Sequence, residues 1–457
     1  MKAPGNMSIG ALRRAYAGGG LTVSDVARQF LSRLEGPDQD SVWISTCAPD
    51  RLLAAAAALD AQVADMDALP LFGVPFSVKD NIDAEGEPTT AACPGFAYHA
   101  VRSAEVVARA VAAGALYVGK TNLDQFATGL VGVRSPYGVP KNPFNADYIP
   151  GGSSAGAGVS VSTGMVGFAF GTDTGGSGRI PASYNGIYGL KPAPGDWSRA
   201  GLVYACRSFD TPTVFAASLD DVMAVDAVVR GHDRADPFSR NIARTDVPAP
   251  RVALAAPGQI DTFGDADVAA LYRAAHARIL AAFPDAAAAD LAPFQSVNDL
   301  MFFGPFLAER DVSVGDFLDA NPDGCHPVVR DLILSSRAYS AADAYRALYR
   351  LAEAACATRG FWDGADVLIT PTVGALVTRA AIAADPLGPN FNNGRYTNFA
   401  NPLGLAGLAV PMGRSGAGVP WGVTLYGLPE RMAALMSVAR AISAGPPDII
   451  PDLQAKA

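Results

Sequence analysis

The chain has 457 residues, half of them hydrophobic and 17% charged, enough to bury a large core and too apolar for a disordered polymer. A net charge of -9 with no basic run argues against a nucleic-acid partner or an anionic membrane surface. Cys47, Cys93, Cys206, Cys325 and Cys356 are scattered without a CxxC pair, which excludes a zinc or redox motif and fits reduced thiols in a cytoplasmic protein.

No apolar stretch is long enough for a signal peptide or a membrane span. Residues 8–36 read as two helices split at Gly18, Gly19 and Gly20. In the second, Thr22 and Asp25 have capping-box spacing, and Gly36-Pro37 is the stop. Asp50 is the expected cap of the alanine-rich helix "RLLAAAAALDAQVADM". The segment "LFGVPFSVKDNID" reads as a strand running into a loop. Then come a helix "AEVVARAVAAG", a strand "ALYVG", a helix start "KTNLDQFA", a glycine-rich loop and an apolar run "GMVGFAFG". Such alternation predicts an α/β fold with a mixed, twisted central sheet covered by helices on both faces. Residues 265–355 are helical by pattern, and strands return in "DVLITPT", "LAGLAVPMG" and "WGVTLYG". Without repeats or a low-complexity linker, residues 1–457 read as one domain: a core over 70–215, a helical excursion over about 260–355, and no additional C-terminal domain.

The glycine-serine segments allow several chemistries. As a phosphate cradle, "GGSSAGAG" lacks the lysine of a P-loop and the spacing of a dinucleotide fingerprint. Gly152, Ser154 and Gly156 satisfy the G-x-S-x-G of an α/β-hydrolase esterase. However, "NADYIPGG" reads as a loop where that motif needs a strand, and His232, His276 and His326 stand in no recognisable setting. Glycines for close packing and serines as helix caps are the plain structural alternative. The lysines suggest another base. There are six, and Lys79 ends an apolar strand. An ordinary lysine, with a pKa of about 10.4, is almost wholly protonated near neutrality, but burial favours the neutral amine that can accept a proton. A structural ion pair competes with that role, and Lys120 and Lys191 compete for it.

Five segments, "GVPFSVKDNID", "KTNLDQFA", "PGGSSAGAG", "GTDTGGSGRIPA" and "GLKP", occur in an order and spacing that resemble the amidase signature family. The resemblance implies a Ser-cisSer-Lys acyl-enzyme mechanism without metal or cofactor. Lys79 would be the base, Ser153 the relay and Ser177 the nucleophile, with Ser154 in support and Gly152–Ser153 cis. The glycines of "DTGGS" let the N–H groups of Thr174, Gly175, Gly176 and Ser177 face a developing oxyanion. Asp173 and Arg179 would brace that loop; a surface ion pair is their plainer reading.

Within the family, "TTAACPGFAY", "DQFATGLVGVRSPYG", "GLVYACRSFDTP" and "GPFLAER" are most similar to allophanate hydrolases. This likeness implies hydrolysis of a small carboxylated amide in urea degradation, and functional coupling to a biotin-dependent urea carboxylase. Arg310 would hold the carboxylate and backbone near Gly129 would touch the substrate. At the position of a substrate-binding tyrosine stands Phe302. Other expectations are a malonamate-like or biuret-derived substrate, or membership of a glutamine-dependent amidotransferase. The expected partners are completed by a small-molecule substrate and a second copy in a homodimer.

Overall fold

A computed structural model describes residues 7–36 and 39–443; Pro37 lies outside them. The strands are β1 (Trp43–Thr46), β2 (Pro75–Lys79), β3 (Pro88–Thr89), β4 (Tyr98–His99), β5 (Leu116–Thr121), β6 (Phe168–Asp173), β7 (Tyr188–Lys191), β8 (Thr211–Ala216), β9 (Val252–Leu254), β10 (Ala287–Ala288), β11 (Val367–Pro371), β12 (Ala406–Arg414) and β13 (Pro420–Gly427). Apart from the β3–β4 hairpin they form one sheet, ordered β1-β5-β2-β6-β8-β7-β12-β13-β11-β9-β10. β2 runs parallel to β5 and β6, β9 parallel to β10 and β11, and the middle of the sheet is antiparallel. Every residue of β2, β6, β7, β8, β11 and β13 is buried, so these strands are covered on both faces and show no alternation of polar and apolar positions. Flanking helices supply the cover, giving a single α/β domain.

The local signals translate unevenly. Helices Ile9–Ala17 and Val23–Leu34 form as the pattern predicts, and Thr22 and Asp25 close a reciprocal capping box. Asp50 does not cap its helix. Pro49 takes the first helical position, so Ala48 is the cap and Asp50 sits inside the first turn. "KTNLDQFA" does not start a helix: Lys120 and Thr121 finish β5, and a short 3-10 turn over Gln125–Ala127 follows, with Phe126 at φ 51°. The predicted helical stretch holds Ala266–Ala282, Ala308–Ala320, Pro327–Ser335 and Ala341–Gly364, interrupted by the short β10. No helix among the described residues is long and apolar enough to cross a membrane.

Parallel β2 and β6 end at the same edge of the sheet, so Lys79, Thr172 and Asp173 arrive together from segments over ninety residues apart. Openings at the carboxyl ends of such strands are where α/β sheets place ligands.

Candidate active site

Lys79 is fully buried, and its Nζ donates to Ser153 Oγ at 2.8 Å and to Thr172 Oγ1 at 2.8 Å. Among the described residues no carboxylate stands within ion-pair distance of it. Burial pushes its pKa down to about 7, against the opposing pull of Asp124, Asp210 and Asp173. The two competing lysines are buried at strand ends as well, so burial alone does not single out Lys79; their partners do. Lys120 meets Asp80 at 3.3 Å and donates to Ile82 O and Thr89 Oγ1, a structural ion pair. Lys191 donates to the Leu405 carbonyl, and burial, with Arg179 nearby, holds it well below the usual lysine range. Of the three, Lys79 alone faces a serine hydroxyl.

Ser153 and Ser154 lie just before helix Ala155–Ser162, and the Gly152–Ser153 peptide is cis. Position 152 has no room for a side chain: a Cβ there would lie 2.2 Å from Asp124 Oδ2 and 2.4 Å from the Gly132 nitrogen. Asp124 organises this turn. Its carboxylate accepts from the nitrogens of Val131, Gly132 and Arg134, and its own nitrogen donates to the Ser153 carbonyl at 3.0 Å. Ser154 Oγ donates to Thr172 O, a backbone tie that leaves no histidine-activated elbow.

Ser177 is 3% exposed and follows β6 in a loop whose frame is Asp173 and Arg179. Both are fully buried and paired at 2.8 Å, so the surface-pair reading does not hold. Arg179 forks onto Asp173 through Nε and Nη2 and also donates to Thr397 O and Tyr426 Oη. Burial alone would raise the Asp173 carboxyl; Arg179 and the Gly178 N–H hold it below its ordinary value. Gly176 corrects the expected oxyanion set. Its N–H is spent on Asp173 Oδ1 at 3.0 Å, because the aspartate needs loop donors to complete its shell inside the protein. The N–H groups of Thr174, Gly175 and Ser177 have no partner among the described residues and remain available. Gly176 is still required, since it sits at φ 143° and a Cβ would meet Thr397 Oγ1 at 2.5 Å. No hydrogen bond reaches the Ser177 hydroxyl among the described residues, so the predicted Ser153–Ser177 link is not made in this state.

Arg310 is buried, with Nη1 donating to Met301 O at 3.2 Å while Nε and Nη2 have no partner among the described residues. Its guanidinium lies 5.2 Å from the centre of the Phe302 ring. That ring in turn sits against the Ser177 loop, 3.2 Å from where a Gly175 Cβ would be. A surface role for Arg310 is therefore excluded. At Gly129 a side chain would strike the Asp124 carboxylate; the neighbouring Leu130 nitrogen donates to Asn390 Oδ1 at 2.8 Å.

Sequence reasoning missed several residues here. Thr172 and Asp210 lie inside the motifs quoted above. Asp210, raised to about 6 chiefly by burial, binds the Thr174 hydroxyl and the nitrogens of Ala205 and Cys206. Thr397 and Asn401 come from a distant stretch, "GRYTNFAN", whose dense amides beside strand-forming segments are the only signal of them in the sequence. Thr397 Oγ1 donates to Gly175 O, and Asn401 Nδ2 donates to Asp173 O and Phe209 O.

The arrangement is a desolvated amine on one hydroxyl, a second hydroxyl in a braced loop with free N–H groups, and a buried guanidinium against the Phe302 ring that packs on that loop. The chain is 38% identical over 408 residues to the urea amidolyase of Saccharomyces cerevisiae, covering 88% of this chain and 22% of that relative's length. It is 39% identical over 242 residues to a glutamyl-tRNA(Gln) amidotransferase chain of Symbiobacterium thermophilum, covering 52% of this chain and 49% of that one. The solved allophanate hydrolase of Kluyveromyces lactis superposes with a TM-score of 0.85 at 35% identity, over 93% of this chain and 72% of that one. The amidase family model matches residues 25–435, and the chain belongs to the amidase family.

Proposed function

We propose that the chain hydrolyses allophanate, the small planar anion that carries a terminal amide and a carboxylate on one bridging nitrogen. The observation that carries this reading is Arg310: a buried guanidinium with Nε and Nη2 unpartnered, stacked on a ring that touches the Ser177 loop. An unpaired buried cation is costly unless a ligand supplies the anion, and the arginine fork matches a carboxylate. The likeness to allophanate hydrolase and urea amidolyase supports the same substrate.

In this reading neutral Lys79 takes the Ser153 proton as Ser153 takes that of Ser177, and Ser177 Oγ attacks the terminal amide carbonyl. The developing oxyanion meets the N–H groups of Thr174, Gly175 and Ser177. The C–N bond then breaks as the relay returns a proton to the nitrogen, and ammonia leaves. Water resolves the acyl-enzyme, and the carboxylated carbamate product loses carbon dioxide. Substrate binding completes the contact between Ser153 and Ser177. Coupling to a urea carboxylase belongs to the same proposal, since carboxylation of urea yields this substrate.

The test is ammonia release by the purified chain from allophanate, malonamate, a biuret-derived acid and glutamine. Allophanate is expected to have the highest kcat/KM. Arg310→Lys, which keeps the charge but loses the fork, is expected to lose about tenfold or more in kcat/KM, mostly through KM. Phe302→Tyr is expected to lower KM. Preference for glutamine, or an Arg310→Lys variant with unchanged kinetics, would overturn the reading.

A further inference from the structure

Recognition of a carboxylate by Arg310 and of a carbonyl by the Ser177 loop would not distinguish allophanate from malonamate. The two anions share both ends. They differ only in the bridge, an N–H in one and a CH2 in the other. A site that separates them needs an acceptor between the oxyanion donors and the arginine, dry enough that an unmet N–H or an unmet acceptor counts.

Asn398 supplies a buried acceptor beside the Ser177 loop. It is 5% exposed, on the segment that also holds the loop through Thr397 and Asn401. Its Oδ1 is buried without a hydrogen-bond partner among the described residues. It stands 2.8 Å from where a Cβ on Gly175 would be, beside the Phe302 ring on which Arg310 stacks. The amide orientation has a physical cause. Asn398 Nδ2 faces the Asn298 carbonyl at 3.5 Å, and the reversed amide would set oxygen against oxygen. The backbone is fixed too, with the Asn398 nitrogen donating to Gly394 O at 2.9 Å. An acceptor is thus fixed beside the Ser177 loop, where a side chain at position 175 would strike it.

We infer that Asn398 reads the bridging nitrogen of the substrate, accepting its N–H at Oδ1, and so separates ureido carboxylates from their carbon-bridged isosteres. The inference rests on the proposed function and adds a specificity residue to it. With malonamate bound, Oδ1 stays unpaired in a dry site; sites built to bond a substrate N–H discriminate against analogues that lack it for this reason.

The test is kcat/KM for allophanate and for malonamate, measured on the wild type and on Asn398→Ala. Fluorophosphonate labelling of Ser177 checks that the loop is intact. The allophanate value is expected to fall about ten- to a hundredfold while malonamate changes by less than about threefold. Damage to the loop would lower both together and leave their ratio unmoved, which would overturn the assignment. If Asn398→Ala fails to label, the ratio is read on Asn398→Leu, which keeps the volume and removes the acceptor. A wild type without allophanate turnover would defeat the proposed function itself, whereas turnover with an unchanged ratio in the variant would defeat only the role of Asn398.

Discussion

Among the described residues three lysines reach the interior, and what each touches decides what it can do. Lys120 is neutralised by Asp80, Lys191 rests on a carbonyl, and Lys79 spans two hydroxyls. None of these partners is local in sequence. The sequence pattern places Lys79 at a strand end and gives Lys120 and Lys191 more structural contexts, a helix start and a proline-followed turn, but the motif resemblance is what assigns Lys79 the role of base. Its depressed pKa has a consequence for stability. Below about 7 both folded and unfolded chains hold the proton, and folding bears the full cost of burying a cation. Between there and the unfolded value of about 10.4 the folded chain releases its proton first, so stability rises with pH across that window. Lys79→Met, similar in length and uncharged, is expected to abolish turnover and yet melt higher than the wild type. The gain should be largest near pH 6 and shrink toward pH 10 in parallel thermal scans. A gap that widens with pH would contradict the assignment of a buried, titrating amine.

The loop from Asp173 to Arg179 is held as a unit by groups from other elements. Its acidic and basic ends were legible as a pair, but their complete burial was not, because Tyr426, Thr397 and Asn401 arrive from over two hundred residues away. For the same reason four adjacent N–H groups looked equivalent in sequence, whereas Asp173 claims the one on Gly176. The turn after β5 was misread for a different cause: Phe126 and Ala127 adopt positive φ without glycine, a conformation imposed by surroundings that include the Ala91 carbonyl, to which the Phe126 nitrogen donates. Arg179→Met would strand the Asp173 carboxylate in the interior. It is expected to cost about 3–5 kcal/mol in denaturant unfolding and to remove activity with it. A variant of wild-type stability would show that the pair does not brace the loop.

On the scale of the molecule, strand and helix alternation announced an α/β fold, and periodicity located helices Ile9–Ala17, Val23–Leu34, Glu105–Ala112, Ala266–Ala282 and Ala341–Gly364. The order of the strands was not legible. Antiparallel β8, β7 and β12 are interposed between the parallel group around β2 and the later strands, a matter of pairing between distant segments that periodicity does not encode. The excursion from Ala266 to Gly364 leaves from β9, adds β10 at the edge, and returns into β11 beside β9, so it is bound into the same sheet. Through it Phe302 reaches the loop that carries Ser177, and Arg310 packs on the Phe302 ring. The chain is therefore expected to unfold calorimetrically as one transition, with loss of Ser177 labelling tracking the melt; an early separate transition that spares labelling would mark the excursion as independent.

All of this depends on a lysine that is neutral near physiological pH and feeds a serine pair. The most direct measurement is the rate at which a fluorophosphonate acylates Ser177 between pH 5 and pH 10. The rate is expected to fall about tenfold per unit below an apparent pKa near 7 and to level off above it, with Lys79→Ala slow throughout. A rate independent of pH over that range, or a Lys79→Ala variant labelled as fast as the wild type, would contradict the account.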